Sequence, residues 1–167
     1  MTATETKQSE GTQAKTQKIA TFLMFNNQAE EAMNFYVSVF KDAKIVSTMP
    51  GPDGKVMGGV FEIAGQRFNC FNGGPKFKFE QGMSLMVSAE TQEEIDYLYE
   101  TLSEGGKQEP CAWLDDKFGV SWQIVPPILG KLLGDPDREK AGRVMQAMFK
   151  MTKIIIQDLK DAADNEA

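Results

Sequence analysis

The sequence predicts an α+β fold: two tandem β-α-β-β-β modules followed by C-terminal helices. Three observations carry that prediction. Short, bounded apolar runs alternate with stretches of helical periodicity. The order of elements begins again partway along the chain. After Pro126-Pro127 only helical patterning remains.

The first module opens with residues 18–25 (KIATFLMF), an apolar run with β-branched and aromatic content that reads as a strand. A helix follows, with Asn27 as N-cap, Glu30 in the capping-box relation, and Ala29, Ala32, Met33, Tyr36 and Phe40 on one face. Residues 43–49 form the next strand, which ends at the turn Pro50-Gly51-Pro52-Asp53-Gly54. Strands over 56–63 and 66–71 flank Ala64-Gly65, a two-residue connection that favours a hairpin.

The second module repeats this order. A strand spans 83–88, and Thr91 with Glu94 makes a second capping box. Ile95, Leu98, Tyr99 and Leu102 give the helix face, and Gly105-Gly106 ends it. Strands over 108–114 and 120–125 flank the turn 115–119. An offset of 63 carries Ala29-Glu30-Glu31 onto Gln92-Glu93-Glu94, Phe35-Tyr36 onto Leu98-Tyr99 and Thr21 onto Ser84.

Beyond the modules, Ile128, Leu129, Leu132 and Leu133 suggest a short helix ending at Gly134. Asp135 as N-cap and Pro136 at the first helical position open a longer one, with Val144, Ala147, Met148 and Met151 as its stripe. Ile154, Ile155, Ile156 and Leu159 continue into a further turn or helix. The expected organisation is a disordered tail over 1–17 and paired modules over 18–126, divided as 18–80 and 81–126. A helical extension of the same domain over 127–160 and a frayed acidic end over 161–167 complete it.

Composition narrows the function. The chain has 167 residues, 41% hydrophobic and 25% charged, in the range of a globular domain that needs no disulfide or metal staple. Its net charge of −6 and the lack of a basic patch argue against a nucleic-acid partner. No apolar run approaches the roughly 20 residues of a membrane helix, so no membrane partner is expected. No secretory h-region precedes residue 18, and two cysteines, Cys70 and Cys111, are too few for a disulfide framework; a cytoplasmic location is the expectation. There is no histidine. That removes Ser-His-Asp and Cys-His machinery and every His-containing zinc site. Acid–base chemistry near neutral pH falls to a perturbed Glu, Asp, Cys, Lys or Tyr.

Three segments carry a family resemblance: 22–40 (FLMFNNQAEEAMNFYVSVF), 71–79 (FNGGPKFKF) and 111–126 (CAWLDDKFGVSWQIVP). With the tandem modules, Phe-Tyr late in the first helix and Asp-x-x-Gly before the last strand, the chain resembles the vicinal-oxygen-chelate superfamily. That superfamily includes glyoxalase I, extradiol dioxygenases and the bleomycin- and fosfomycin-resistance proteins. The chain is most similar to its PhnB-like branch, and the helix over 136–151 also fits that branch. The resemblance implies a homodimer whose cavity is often completed by pairing.

In metal-dependent members the ligands lie on the first and last strands of each module. The resemblance places the corresponding positions at Thr21, Asn69, Ser84 and Gln123. Their neutral oxygens are not what transition metals favour, so no metal ligands and no cofactor are expected. Cys70 stands beside Asn69, one register step away. The implied reading is a protein that binds a small organic molecule in the sheet cavity. Thr21, Asn69, Cys70, Ser84, Trp122 and Gln123 are its candidate ligand-binding residues, with Met24, Phe68, Phe71 and Trp113 as further apolar wall. Thr21, Ser84 and Gln123 serve equally well as satisfied core polar groups. The alternative is an enzyme with an atypical metal site or a Cys or carboxylate catalyst.

Other features have plainer readings. Asn72-Gly73-Gly74-Pro75 is a turn, and Lys76 and Lys78, alternating with Phe77 and Phe79, form a half-exposed edge segment or an entrance that attracts anions. Cys70 and Cys111 are expected as small buried hydrophobes. Asp115, Asp116 and Lys117 are expected to face water, and Glu62 and Glu90 have no evident partner. No Gly-rich fingerprint for a dinucleotide or S-adenosylmethionine is present, so a methyltransferase activity, sometimes ascribed to this branch, has no support in the sequence.

Overall fold

A computed structural model describes residues 17–164. The tail expected over 1–17 therefore lies, except for Gln17, outside the described residues, as do 165–167. Sheet 1 contains β1 (Thr21–Phe25), β2 (Ala43–Pro50), β3 (Val56–Ile63) and β4 (Gln66–Asn72), with α1 (Ala29–Val39) between β1 and β2. Its strand order is β1-β4-β3-β2, with β1 parallel to β4 and the remaining pairs antiparallel.

Sheet 2 repeats the plan with β5 (Leu85–Ser88), α2 (Gln92–Ser103), β6 (Lys107–Gln108), β7 (Trp113–Asp115) and β8 (Ser121–Val125). The order is β5-β8-β7-β6, again with a parallel edge pair, β5 and β8. The offset of 63 read from the sequence maps the first residue of α1 onto the first residue of α2.

Two local expectations within the modules need correction. The single strand expected over 108–114 is two strands, because Cys111 (φ 60°) and Ala112 (φ 72°) are left-handed and break it. Their N–H groups donate to the carbonyls of Met151 (2.9 Å) and Thr152 (2.8 Å), which offsets the conformational cost and gives module 2 its fourth strand. Asn27 does not cap α1. The Ala29 N–H instead donates to the side-chain Oδ1 of Asn72 at 2.8 Å, so the end of β4 does the capping. The second capping box stands: Thr91 Oγ1 accepts from Glu94 N at 3.2 Å, and Glu94 reaches back to the N–H of Glu90.

The C-terminal extension contains α3 (Pro127–Leu133), α4 (Arg138–Phe149) and α5 (Ile156–Asp164). Asp137, not Asp135, caps α4, accepting from the N–H groups of Glu139 and Lys140. Asp135 instead accepts from Asp137 N and pairs with Lys140. Helical structure continues to Asp164, past the start of the end expected to fray.

One core joins both modules. Leu23, Phe25, Phe61 and Phe68 of sheet 1 pack with Tyr36 of α1, Leu98 and Leu102 of α2, and Leu114, Trp122 and Ile124 of sheet 2. A smaller cluster of Ala112, Leu129, Val144, Ile154, Leu159 and Ala163 holds the extension. Both helices thus lie between the sheets, and the opposite faces carry exposed side chains such as Phe22 and Met86, although the extension packs against Val125 at the end of β8. Among the described residues no helix is long and apolar enough to cross a membrane.

Candidate functional site

Strand parity and register assign each side chain to a face. In sheet 1, Leu23, Phe68, Cys70, Phe61 and Ile63 are buried against the helices. Their alternating neighbours face outward. One outward row is Phe22, Asn69 and Val60, and the next is Met24, Phe71 and Gly58. In sheet 2, Leu114, Trp122 and Ile124 point inward, and the outward row is Met86, Gln123 and Trp113. Phe22 is 57% exposed and Met86 69%, so apolar surface lies bare on both open faces.

The six candidate residues fall into three places. Asn69 lies on the open face of sheet 1 beside Phe22, and its amide has no side-chain hydrogen bond among the described residues. Ser84 and Gln123 meet on the outer face of sheet 2, where Gln123 Nε2 donates to Ser84 Oγ at 2.7 Å and the Gln123 carbonyl oxygen has no partner among the described residues. Thr21, Cys70 and Trp122 share the helix side. Thr21 follows the parity of Leu23 and stands in register with Phe68, so it belongs to a different face from Asn69.

Cys70 is 3% exposed, and burial pushes its thiol up to about 11. A thiol held that far above neutral pH is not a ready nucleophile. Alkylation of the folded protein with iodoacetamide at mildly alkaline pH is therefore expected to label the half-buried Cys111 well before Cys70. Equal labelling rates, read by peptide mass spectrometry, would contradict this placement.

A cluster absent from the sequence-based candidates lies at the heart of the molecule. Asp116, expected to face water, is buried. Its carboxylate accepts from Tyr36 Oη (2.7 Å), Trp122 Nε1 (2.9 Å), Phe118 N (2.9 Å) and Val120 N (3.0 Å). Rings crowd around it: Tyr36 lies 5.5 Å from Trp122, which stacks on Phe40 at 5.6 Å. Burial raises the Asp116 carboxyl above the usual range against the pull of its donors, and it also holds the Tyr36 hydroxyl well above its usual value. The cluster ties α1 of module 1 to the β7–β8 turn of module 2. The Tyr and Asp of the family pattern thus have a physical reason that their spacing alone does not reveal.

A groove of about 1120 Å³ runs along the seam between the modules. Thr21, Phe68, Tyr97, Leu98 and Trp122 line it, together with the edge strand β5. Ser84 lies at its rim, so this groove brings Thr21, Ser84 and Trp122 together and excludes Asn69, Cys70 and Gln123.

The donor set does not suit the transition metals that the superfamily's enzymes use. Thr21, Asn69, Ser84 and Gln123 offer neutral oxygens on three separate surfaces. Among the described residues no three His, Cys, Asp or Glu side chains come together to hold an ion.

Comparison with known proteins agrees with this architecture. A family model described as 3-demethylubiquinone-9 3-methyltransferase matches residues 17–125. Among solved structures, the PhnB protein of Bacillus cereus is 41% identical; the match covers 66% of this chain and 99% of that one, with a TM-score of 0.61. Protein PA1353 of Pseudomonas aeruginosa is 21% identical over 65% of this chain and 96% of that one, with a TM-score of 0.52. The fosfomycin resistance protein FosX of Listeria monocytogenes, solved with Mn(II) and sulfate ion, is 12% identical. It covers 65% of this chain and 90% of its own, with a TM-score of 0.51, and shares the fold. No curated protein matches. The family match, the tandem modules and the high identity to a PhnB protein agree: the chain belongs to the PhnB-like family of the vicinal-oxygen-chelate superfamily.

Proposed function

We propose that this protein is a homodimer that binds a small organic molecule on the open faces of its sheets, without a catalytic transition metal. The observation that carries this reading is the position of α1 and α2 between the two sheets. The open faces therefore look away from each other, and a single copy cannot enclose a cavity between them. A second copy supplies the missing wall.

The edges support the same reading. β1 and β5 are both edge strands, paired on one side only. β1 (TFLMF) is apolar and uncharged, the kind of edge that a folded protein covers. Around the neighbouring seam, Met83 and Met86 are exposed. Pairing across these edges would bring Asn69, Phe22 and Phe71 of one copy towards Gln123, Ser84 and Trp113 of the other. Apolar walls with a few hydrogen-bonding groups are what a small-molecule site requires.

Methyl transfer is not part of the proposal. The strand-to-helix turns are Asn26-Asn27-Gln28, Ala89-Glu90-Thr91 and the single residue Pro126, and none is the glycine-rich loop of a nucleotide-type cofactor site.

Native mass spectrometry of the tag-free protein tests both parts. A dimer without bound metal is the expected species. A monomer at micromolar concentration would overturn the shared cavity, and one metal ion per subunit would overturn the metal-free site.

A further inference from the structure

On the open face of sheet 1, one row carries charge across three strands. Lys44 of β2, Glu62 of β3 and Arg67 of β4 stand in register. Arg67 reaches Glu62 Oε1 with both Nε (3.2 Å) and NH2 (2.8 Å), and Lys44 Nζ lies 3.1 Å from Glu62 Oε2. One carboxylate thus serves two cations, and among the described residues the second terminal nitrogen of the guanidinium has no hydrogen-bond partner. The pairing also aims the guanidinium, because the Glu62 oxygen fixes the plane of the fork.

Arg67 is two residues from Asn69 on the same strand, so both side chains leave the same face in adjacent rows. Next to Asn69 stands the exposed Phe22, and beyond it lie Met24 and Phe71. At the far end of the face the chain linking the modules packs over the sheet. A Cβ at Gly73 would meet both Met24 and Phe77, so Phe77 sits tightly against this end. Lys78 and Met24 both line the cleft at this end. The face is therefore an apolar floor with an excess of cations, in a chain whose net charge is −6.

We infer that the molecule bound on this face is a small organic anion, an apolar or aromatic body bearing one carboxylate or sulfonate, with Arg67 and Asn69 holding the charged end. The inference rests on the ligand-binding reading above and adds the charge class. Arg67 and Asn69 donate to the anion, while Phe22, Met24 and Phe71 cover the body. Glu62 positions Arg67 and at the same time tempers its charge.

Two fluorescent probes with the same body separate the possibilities: 1-anilinonaphthalene-8-sulfonate and the neutral N-phenyl-1-naphthylamine, each titrated into the full-length protein. The sulfonate is expected to bind saturably and about tenfold tighter than the neutral probe, with the difference shrinking as salt is added. Arg67→Gln should abolish the preference and leave the neutral probe unaffected. Glu62→Gln, which releases the guanidinium, should increase it. Thermal melts establish that both variants fold, as expected for a half-exposed cross-strand pair. Equal affinity for the two probes, or a preference that survives Arg67→Gln, overturns the charge class and leaves ligand binding standing. If neither probe saturates on the native protein, the ligand-binding reading falls with it.

Discussion

Asp116→Ala is expected to cost about 3–5 kcal/mol of folding stability, because one buried carboxylate satisfies four neutral donors that would lose their acceptor together. The carboxylate is 2% exposed. Its removal strands the Tyr36 hydroxyl, the Trp122 indole N–H and the N–H groups of Phe118 and Val120 away from water. Each stranded donor costs on the order of 1–3 kcal/mol unless the site relaxes. Typical domains have only about 5–15 kcal/mol in hand, so the variant should unfold at much lower urea than the wild type. Asp116→Asn should fare little better, since its amide N–H₂ would meet other donors. The comparison is Glu31→Gln, which breaks an exposed pair with Lys117 and should change stability by less than about 1 kcal/mol. Equal midpoints for the two variants would refute the latch.

The pH dependence of that latch has a definite sign. Burial sets the native pKa of Asp116 above the ordinary carboxylate value, against the four donors that lower it. A carboxyl raised on folding contributes most stability below its unfolded pKa, near about pH 4, and loses that contribution as pH climbs through the native value. The stability gap between wild type and Asp116→Asn should therefore be wider at about pH 4 than at about pH 8.

Much of the architecture was legible because local patterns and the final packing agree. Both apolar helix faces, the hairpin at Ala64-Gly65 and the Thr91 cap are short-range features, and each appears where the sequence puts it. What escaped depends on partners far along the chain. The cap of α1 comes from Asn72, and the break between β6 and β7 comes from carbonyls of Met151 and Thr152. Asp116 looked like a solvated turn residue because nothing local shows that Tyr36 comes to meet it. The facing of the candidate site residues depends on strand parity. A shift of one residue in a strand changes its face, and the sequence alone does not show that Thr21 and Asn69 stand on opposite faces of sheet 1, with Phe22 beside Asn69.

Ile154→Ala should loosen one part of the molecule selectively. Ile154 is fully buried in the smaller cluster, and its carbonyl accepts from Gln92 Nε2 at 3.0 Å while Gln92 Oε1 accepts from Ile156 N at 2.8 Å. The truncation is expected to cost about 2–5 kcal/mol by transfer and cavity terms. The extension has its own core and lies beyond the family match at 17–125, so the loss should fall on it first. Hydrogen exchange should then show amides of α4 and α5 opening readily while those of α1 keep their protection. Met33→Ala, in the larger core, should instead lower protection on both sides. The left-handed bend at Cys111-Ala112 should follow the extension, because the carbonyls of Met151 and Thr152 that satisfy it would move away. Uniform loss of protection in Ile154→Ala would mean that the extension and the modules unfold as one unit. The helices would then be integral to the fold rather than a brace added to its second module.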